Sequence, residues 1–237
     1  MLQPACNTML MDKAATVASE PTGFLGVLHA VGQCLESLTS ESDGRDNLCV
    51  CYVSADRGYG TFGTRRIWEG EQIFVEKPLL TVDQTEFSFP TGMDKDEVDR
   101  RAKSMLASSI SNELDRLDES LRDQFYQLST APNHMSEPKA LGIFLTNAMR
   151  TSTSGTSAVF KLVSRINHSC MPNVIHRWNE VHQELTLHAA CDIEPGTELS
   201  IAYNIGRGLT REARQAKLRL SFGFLCDCDL CSPKEFG

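Results

Sequence analysis

The sequence contains Arg165-Ile-Asn-His-Ser-Cys-Met-Pro-Asn173, a compact polar run that brings an amide, an imidazole and a thiol close together. It has neither the alternation of a half-buried strand nor the spacing of an amphipathic helix. Such a run is typical of a functional site rather than of a regular element.

A second concentration of chemistry lies near the C-terminal end, in Phe224-Leu-Cys-Asp-Cys-Asp-Leu-Cys231. Three thiolates on a tight loop can occupy three corners of a tetrahedral zinc site, so Cys226, Cys228 and Cys231 are predicted metal ligands. The fourth ligand must come from elsewhere, and Cys170 is the best candidate. A redox or disulfide loop, or a set of buried free thiols, is the alternative, although three cysteines this close cannot all pair with one another without strain.

Short apolar runs separated by turn residues predict strands around these two segments. The runs cover residues 49–53, 67–68, 73–75, 79–82, 174–177, 185–190 and 199–203. Two hairpins fit the first four runs. Turns are predicted at residues 178–180 and 194–196 between the later ones.

Helical spacing replaces the strand pattern over residues 94–149. The two apolar stripes of this region are Leu114, Leu117, Leu121, Phe125 and Leu128, and then Leu141, Phe144, Leu145 and Ala148. Ser136 is a predicted N-cap, with Pro138 in the first turn beyond it. Thr210 is predicted to cap a final helix that carries Ala213, Ala216 and Leu220 on one side. Strands on both sides of a helical middle segment indicate an α+β protein.

Composition limits the class of protein. The chain has 237 residues, 41% of them hydrophobic, and no apolar run long enough to cross a bilayer, so we expect a soluble protein. The formal net charge of -8 argues against a surface built to neutralise phosphate, whereas an acidic cleft suits a basic peptide. Nine cysteines, an odd number, without a secretory leader argue against a secreted disulfide framework. The spacing of Cys226, Cys228 and Cys231 indicates metal ligation in a reducing compartment.

Four sequence elements in a fixed order resemble the SET-domain family of protein-lysine methyltransferases. They are Arg57-Gly58-Tyr59-Gly60, then Asn167-His168-Ser169-Cys170 with Pro172-Asn173, then Glu198-Leu-Ser-Ile-Ala-Tyr203, and then the Cys-x-Cys-x-x-Cys tail. The similarity spans about residues 50–231 and is closest to the SET and MYND branch or to fungal stand-alone SET proteins. It implies a SET fold, in which small β-sheets surround a knot-like core with a helical insert and a zinc-binding post-SET loop.

The resemblance implies that S-adenosylmethionine and zinc are the cofactors and that protein lysine is the acceptor. The residues implied to contact S-adenosylmethionine are Arg57, Gly58, Tyr59, Gly60, Asn147, Ser164, Asn167, His168, Tyr203, Phe222 and Phe224. Several of these residues also have a plainer interpretation. The two glycines suit an ordinary hairpin turn, Asn167 and His168 suit a buried hydrogen-bonded structural role, and the two phenylalanines suit core packing.

Tyr203 is the predicted catalytic residue. A lysine amine, with a reference pKa near 10.4, must lose its proton before it can attack the methyl group of a sulfonium. A narrow apolar channel favours the neutral amine by desolvation, and a tyrosine hydroxyl can orient it. Base catalysis by the phenol is not required. Taken alone, a core tyrosine at the end of a strand is the alternative.

The domain boundaries expected from this resemblance are a leader at 1–46, a SET domain at 47–206 with a helical insert at about 92–150, and a post-SET segment at 207–237. Helical spacing of apolar residues within the leader also predicts one amphipathic helix there. No MYND module is evident, and the chain stops six residues after Cys231, so we expect a compact stand-alone SET protein or a fragment.

The sequence is compatible with three functions. The first is a lysine methyltransferase that acts on a histone or another basic protein in the nucleus or cytoplasm, as a monomer without direct nucleic-acid or membrane contact. The second is a catalytically silent SET-fold module that binds peptide. The third is a zinc-dependent nucleic-acid binder, suggested by the basic residues around the last helix, although overall acidity counts against it. Those basic residues are Arg207, Arg211, Arg214, Lys217 and Arg219.

Overall fold

The computed structural model describes residues 45–151, 155–203, 205 and 208–232. The strands are β1 Leu48–Ser54, β2 Gly58–Gly63, β3 Gln72–Glu76, β4 Leu80–Asp83, β5 Met149–Arg150, β6 Thr156–Val159, β7 Asn167–His168, β8 Val174–Asn179, β9 Glu184–Ala189 and β10 Ser200–Ile201. The helices are α1 Lys95–Arg116, α2 Glu119–Tyr126, α3 Lys139–Asn147 and α4 Arg211–Phe222, with short 3-10 helices at Arg45–Asn47, Pro132–His134 and Val163–Arg165. The mixture of helices and sheets confirms the predicted α+β class. The predicted leader helix lies outside the described residues.

The first hairpin pairs β1 with β2 in antiparallel register. The run at 49–53 predicted β1, but β2 contains the Gly58-x-Gly60 segment that was interpreted as a turn. Glycine is disfavoured in strands, so composition gave no strand signal there. Gly58 has φ of 65°, a left-handed conformation suited to glycine, and it brings the chain out of the turn into β2.

The second predicted hairpin is wrong. β3 pairs with β9, and β8 completes that three-stranded antiparallel sheet. β4 instead joins β6 and β5 in another sheet. The run at 67–68 contributes only one bridge, from Ile67 to Ile193. A local apolar pattern identifies a strand but does not specify its distant partner, so these pairings were not predictable from the runs alone.

The helical insert differs from its prediction in two places, at the break between α1 and α2 and at the start of α3. The stripe expected from Leu114 to Leu128 is broken between α1 and α2, where the Asp118 side chain accepts from the Leu121 N–H and caps α2. α3 begins at Lys139 after Pro138, so the predicted Ser136 N-cap is wrong. Proline restricts the residue before it to extended conformations, which delays the start of the helix.

The last helix begins as predicted, because Thr210 accepts from the Ala213 N–H and caps α4. The side that carries Ala213, Ala216 and Leu220 is not the buried one. α4 buries Arg214 and Leu218, whereas Leu220 is 80% exposed. Leu218 packs in a cluster with buried cysteines rather than against a sheet. Among the described residues, no helix is both long and apolar enough to cross a membrane.

Candidate active site and metal centre

A short parallel pairing of β7 with β10 brings two of the sequence elements together. Asn167 lies opposite Ser200 and His168 opposite Ile201. The Asn173 side chain fixes the same crossing, because its Oδ1 accepts from the Ser200 N–H at 2.7 Å and its Nδ2 donates to a carbonyl of the segment before β10 at 2.9 Å. The crossing leaves the His168 and Tyr203 rings 5.2 Å apart between centroids.

The His168 imidazole connects the tyrosine to the cysteine cluster. Its Nδ1 accepts from the Tyr203 backbone N–H at 3.1 Å, and its Nε2 lies 3.3 Å from Cys170 Sγ. Burial lowers the pKa of His168 to about 4, and the nearby charge of Arg214 acts in the same direction. The ring is therefore neutral at pH 7, with the proton on Nε2 facing the thiol.

Tyr203 presents a fixed hydroxyl and a packed ring. The hydroxyl donates to the Ile166 carbonyl at 2.9 Å, and the ring packs on Phe222 with 5.0 Å between centroids. Burial raises the pKa of the Tyr203 phenol, and the negative charge of Glu198 raises it further. The phenol therefore stays protonated at neutral pH and acts as a hydrogen-bond donor, not as a base.

Four cysteines converge where the C-terminal loop folds back onto β7. Cys170 Sγ lies 3.5 Å from Cys231 Sγ and 4.0 Å from Cys226 Sγ, and all four sulfurs, with that of Cys228, lie within 4.8 Å of one another. Tetrahedral zinc with Zn–S bonds of about 2.3 Å places sulfurs about 3.8 Å apart, so the donor type and the spacing fit that ion.

The electrostatics of the cluster also favour a cation. Burial raises the pKa of the Cys170 thiol to about 11 and raises that of Cys226 as well. Thiolates at these positions therefore need a compensating positive charge, which a bound metal ion can supply. The cluster could hold zinc.

Arg214 lies against this cluster rather than on the surface. Only 4% of the residue is exposed, and its guanidinium donates to the Leu209 and Leu230 carbonyls and contacts Cys231 Sγ at 3.6 Å. Its Nε is buried without a hydrogen-bond partner among the described atoms. Arg214 therefore does not belong to an exposed basic surface with the other basic residues around α4, and Arg207 lies outside the described residues.

The two predicted aromatic residues flank the end of α4. Phe222 and Phe224 lie 6.3 Å apart between centroids, and Phe224 lies 6.1 Å from His168. Gly223 separates them in the left-handed conformation, with φ of 79°. Asn133 Nδ2 donates to two of the last carbonyls of α4, each at 2.7 Å, and so ties the helical insert to the position of both rings.

A polar network holds the glycine segment against β7. Arg57 forms an ion pair with Glu198 at 2.7 Å, and Asn167 Nδ2 donates to Glu198 Oε1 at 2.8 Å and to the Tyr59 carbonyl at 3.1 Å. A Cβ at Gly60 would lie 2.6 Å from Glu198 Oε1. The space left by this glycine is therefore filled by the carboxylate.

A cavity of about 480 Å³ lies beside the crossing, between α3, the 3-10 helix Val163–Arg165 and α4. Asn147, Ser164, Tyr203 and Phe222 line it. Ser164 Oγ is buried and has no hydrogen-bond partner among the described atoms. Asn147 Nδ2 donates to the Ser129 and Ile143 carbonyls at 2.8 Å. The unpartnered hydroxyl and the aromatic wall fit a ligand with polar atoms and a flat ring, as S-adenosylmethionine has.

The structure brings the predicted residues into one region, but only four of the predicted cofactor residues line the cavity itself. Sequence reasoning missed Ser129, Glu198, Arg214 and Asn133 as contributors. Glu198 is the first residue of the Glu198–Tyr203 element that resembles the SET family, so its position in the sequence was a usable signal. Ser129 and Asn133 lie in the helical segment without any motif, and nothing in the sequence marked them.

The SET domain family matches residues 58–204, more than half of the chain, and the chain belongs to this family. It is 33% identical over 180 residues to the histone-lysine N-methyltransferase set5 of Schizosaccharomyces pombe. The aligned region covers 76% of this chain and 49% of that protein. It is 39% identical over 77 residues to the histone-lysine N-methyltransferase SMYD3 of Homo sapiens, covering 32% of this chain and 17% of that protein. The N-lysine methyltransferase SMYD2 of Gallus gallus is 42% identical over 79 residues, with 33% and 17% covered. The chain thus spans about half the length of the first relative and less of the other two.

Proposed function

We propose that this chain is an S-adenosylmethionine-dependent methyltransferase that acts on a lysine side chain of a histone or another basic protein. The observation that carries the proposal is the cavity of a chain of the SET family, which is lined by Tyr203, Asn147 and Ser164, whose buried hydroxyl has no hydrogen-bond partner among the described atoms. The named activities of the relatives support the same reaction.

The proposed binding roles follow the observed contacts. Asn147 and Ser164 offer polar atoms to the cavity, and Phe222 offers an aromatic ring. Asn167 and His168 are already hydrogen-bonded within the protein. Their proposed role is to hold β7 and β10 in register beside the ligand, not to donate free hydrogen bonds to it. The glycine segment 57–60 and Phe224 are proposed to complete the site.

The proposed chemistry assigns Tyr203 an orienting role. S-adenosylmethionine supplies a methyl group on a positively charged sulfur. When bound, the cofactor would release that methyl group to a lysine nitrogen that has already lost its proton to solvent, leaving S-adenosylhomocysteine. The apolar side chains of Ile201 and Phe222 favour the neutral amine by excluding water. The protonated Tyr203 hydroxyl and the Ile166 carbonyl that it contacts can align the amine.

Zinc is proposed at Cys170, Cys226, Cys228 and Cys231. The ion would fix the C-terminal loop, and with it Phe224, against the crossing of β7 and β10. The proposed domain limits are 47–206 for the SET domain, with its insert at about 92–150, and 207–237 for the post-SET segment. A monomer acting in the nucleus or cytoplasm is proposed with it.

The test is methyl transfer from S-adenosylmethionine that carries a deuterated methyl group. Zinc-loaded protein is incubated with unmodified histones and with nuclear and cytoplasmic extracts, and mass spectrometry locates the label. We expect labelled lysines with the wild type. Tyr203→Phe should keep cofactor affinity but transfer less label or change the number of methyl groups added. Tyr126→Phe, which removes a phenol outside the cavity, should act as the wild type does.

Other outcomes have definite meanings. Cofactor binding without label on any protein would support the silent peptide-binding module instead. If Tyr203→Phe loses cofactor binding and unfolds, the orienting role assigned to its hydroxyl is wrong.

A further inference from the structure

Arg165 is a cation without an acidic partner beside the candidate cofactor site. Its NH2 donates to the Gln127 carbonyl at 2.7 Å and its NH1 to Ser129 Oγ at 3.4 Å, the latter a long contact. The guanidinium carbon lies 5.0 Å from the centre of the Tyr59 ring. The residue is half-buried, and within the described part of the chain it forms no ion pair with a carboxylate.

Arg165 contacts Tyr59, one of the residues proposed to bind S-adenosylmethionine, and is connected to a second, Asn147, through Ser129. Ser129 is the link, because its carbonyl accepts from Asn147 Nδ2 and its hydroxyl accepts from Arg165. A Cβ at Gly58 would lie 4.0 Å from the same hydroxyl. Arg165 therefore lies where the glycine segment and the end of α3 meet.

The other cations near the site are less suited to an anion. Arg57 is already paired with Glu198, so its charge is largely compensated. Lys217 lines the cavity but is exposed on α4, where its charge is screened by water and salt. A half-buried guanidinium next to an aromatic ring is less screened and can pair with a carboxylate through two parallel hydrogen bonds.

We propose that Arg165 binds the carboxylate at the amino-acid end of S-adenosylmethionine; this assignment rests on the proposed function. The sulfonium ligand is a zwitterion at that end, and its carboxylate needs a partner when it leaves water. Arg165 can exchange its long contact with Ser129 for the ligand while the Gln127 carbonyl keeps the guanidinium in place.

The experiment compares two probes that differ only in this carboxylate. S-adenosylhomocysteine and its decarboxylated analogue, S-adenosyl-3-thiopropylamine, are titrated calorimetrically into zinc-loaded wild type, Arg165→Met, Arg165→Lys and Lys217→Met. Arg165→Met should bind S-adenosylhomocysteine about 10- to 100-fold more weakly and the decarboxylated analogue within about twofold of the wild type. Arg165→Lys should recover part of the loss. Lys217→Met, the matched control, should keep the wild-type ratio of the two affinities.

Three results would overturn the assignment. Equal weakening of both probes in Arg165→Met would mean that Arg165 only supports the local structure. Loss of the affinity ratio in Lys217→Met would assign the carboxylate to that residue. If Arg165→Met does not fold, Arg165→Lys provides the test, because lysine keeps the charge but not the geometry of the guanidinium. A wild-type ratio of the two probe affinities in the folded Arg165→Lys would then also count against the assignment. Failure of the zinc-loaded wild type to bind either probe would instead reject the proposed function itself.

Discussion

The buried carboxylate of Glu76 gives a sharp test of how the fold positions the site. The residue is 4% exposed, and its two oxygens accept from the backbone N–H groups of Leu162 and Val163 at 2.8 and 2.9 Å. These N–H groups begin the 3-10 helix that carries Ser164 and Arg165. The Glu76 side chain at the end of β3 therefore holds the segment that supplies the Ser164 hydroxyl and the Arg165 guanidinium.

The substitution Glu76→Gln keeps the shape but changes what the side chain can accept. The amide oxygen still accepts one N–H, whereas the NH2 group faces the other N–H, which is left unpaired. Hydrogen bonds to charged groups contribute about 1.5–3 kcal/mol, and an unpaired buried donor costs about 1–3 kcal/mol, so we expect the free energy of unfolding to fall by about 2–4 kcal/mol.

Urea unfolding at pH 7 measures this change. The comparison requires that the free energy of unfolding falls with urea concentration at the same slope in the wild type and the variant. Glu86→Gln is the matched control, since Glu86 is exposed, and it should change the free energy by less than about 0.5 kcal/mol. Binding of S-adenosylhomocysteine should also weaken in Glu76→Gln because Ser164 shifts with its helix. A loss no larger than that of the control would refute the role given to Glu76.

Two further substitutions test the polar network and the metal site. Gly60→Ala puts a methyl 2.6 Å from Glu198 Oε1, so we expect a loss of about 1–3 kcal/mol in the free energy of unfolding, while Gly208→Ala, with no atom within 4 Å, should lose far less. Equal losses from the two would contradict the close packing. Arg214→Met removes the guanidinium beside the thiols and should weaken zinc binding about 10- to 100-fold in chelator competition, whereas Lys217→Met should not. An unchanged zinc affinity in Arg214→Met would show that the guanidinium does not stabilise the bound ion.

The predictions from the sequence succeeded where the signal was local. Apolar runs located β1, β8 and β9, and Thr210 marked the start of α4. The spacing of the terminal cysteines, with Cys170, also named four sulfurs that do converge. The strands and the helix start depend on a few adjacent residues, whereas Cys170 lies 56 positions from Cys226 and was recognised from its own compact polar segment.

The unpredicted parts depend on distant contacts. The pairing of β3 with β9 joins residues more than 100 positions apart, and no feature of either strand specifies it. The burial of Arg214 on α4 was not predictable, because this charged residue packs against thiols and an apolar pattern carries no signal for such a contact. Ser129 entered the site only because the helical insert folds back on the glycine segment.

Native mass spectrometry of the whole chain in the presence of S-adenosylmethionine tests most directly whether the metal centre closes the cofactor site. We expect each chain to carry a single zinc ion and to take up a single cofactor molecule, and we expect chelation of the metal to abolish that uptake. Uptake of the cofactor by metal-free chains as readily as by metal-loaded ones, or no uptake by the metal-loaded chain, would contradict the account.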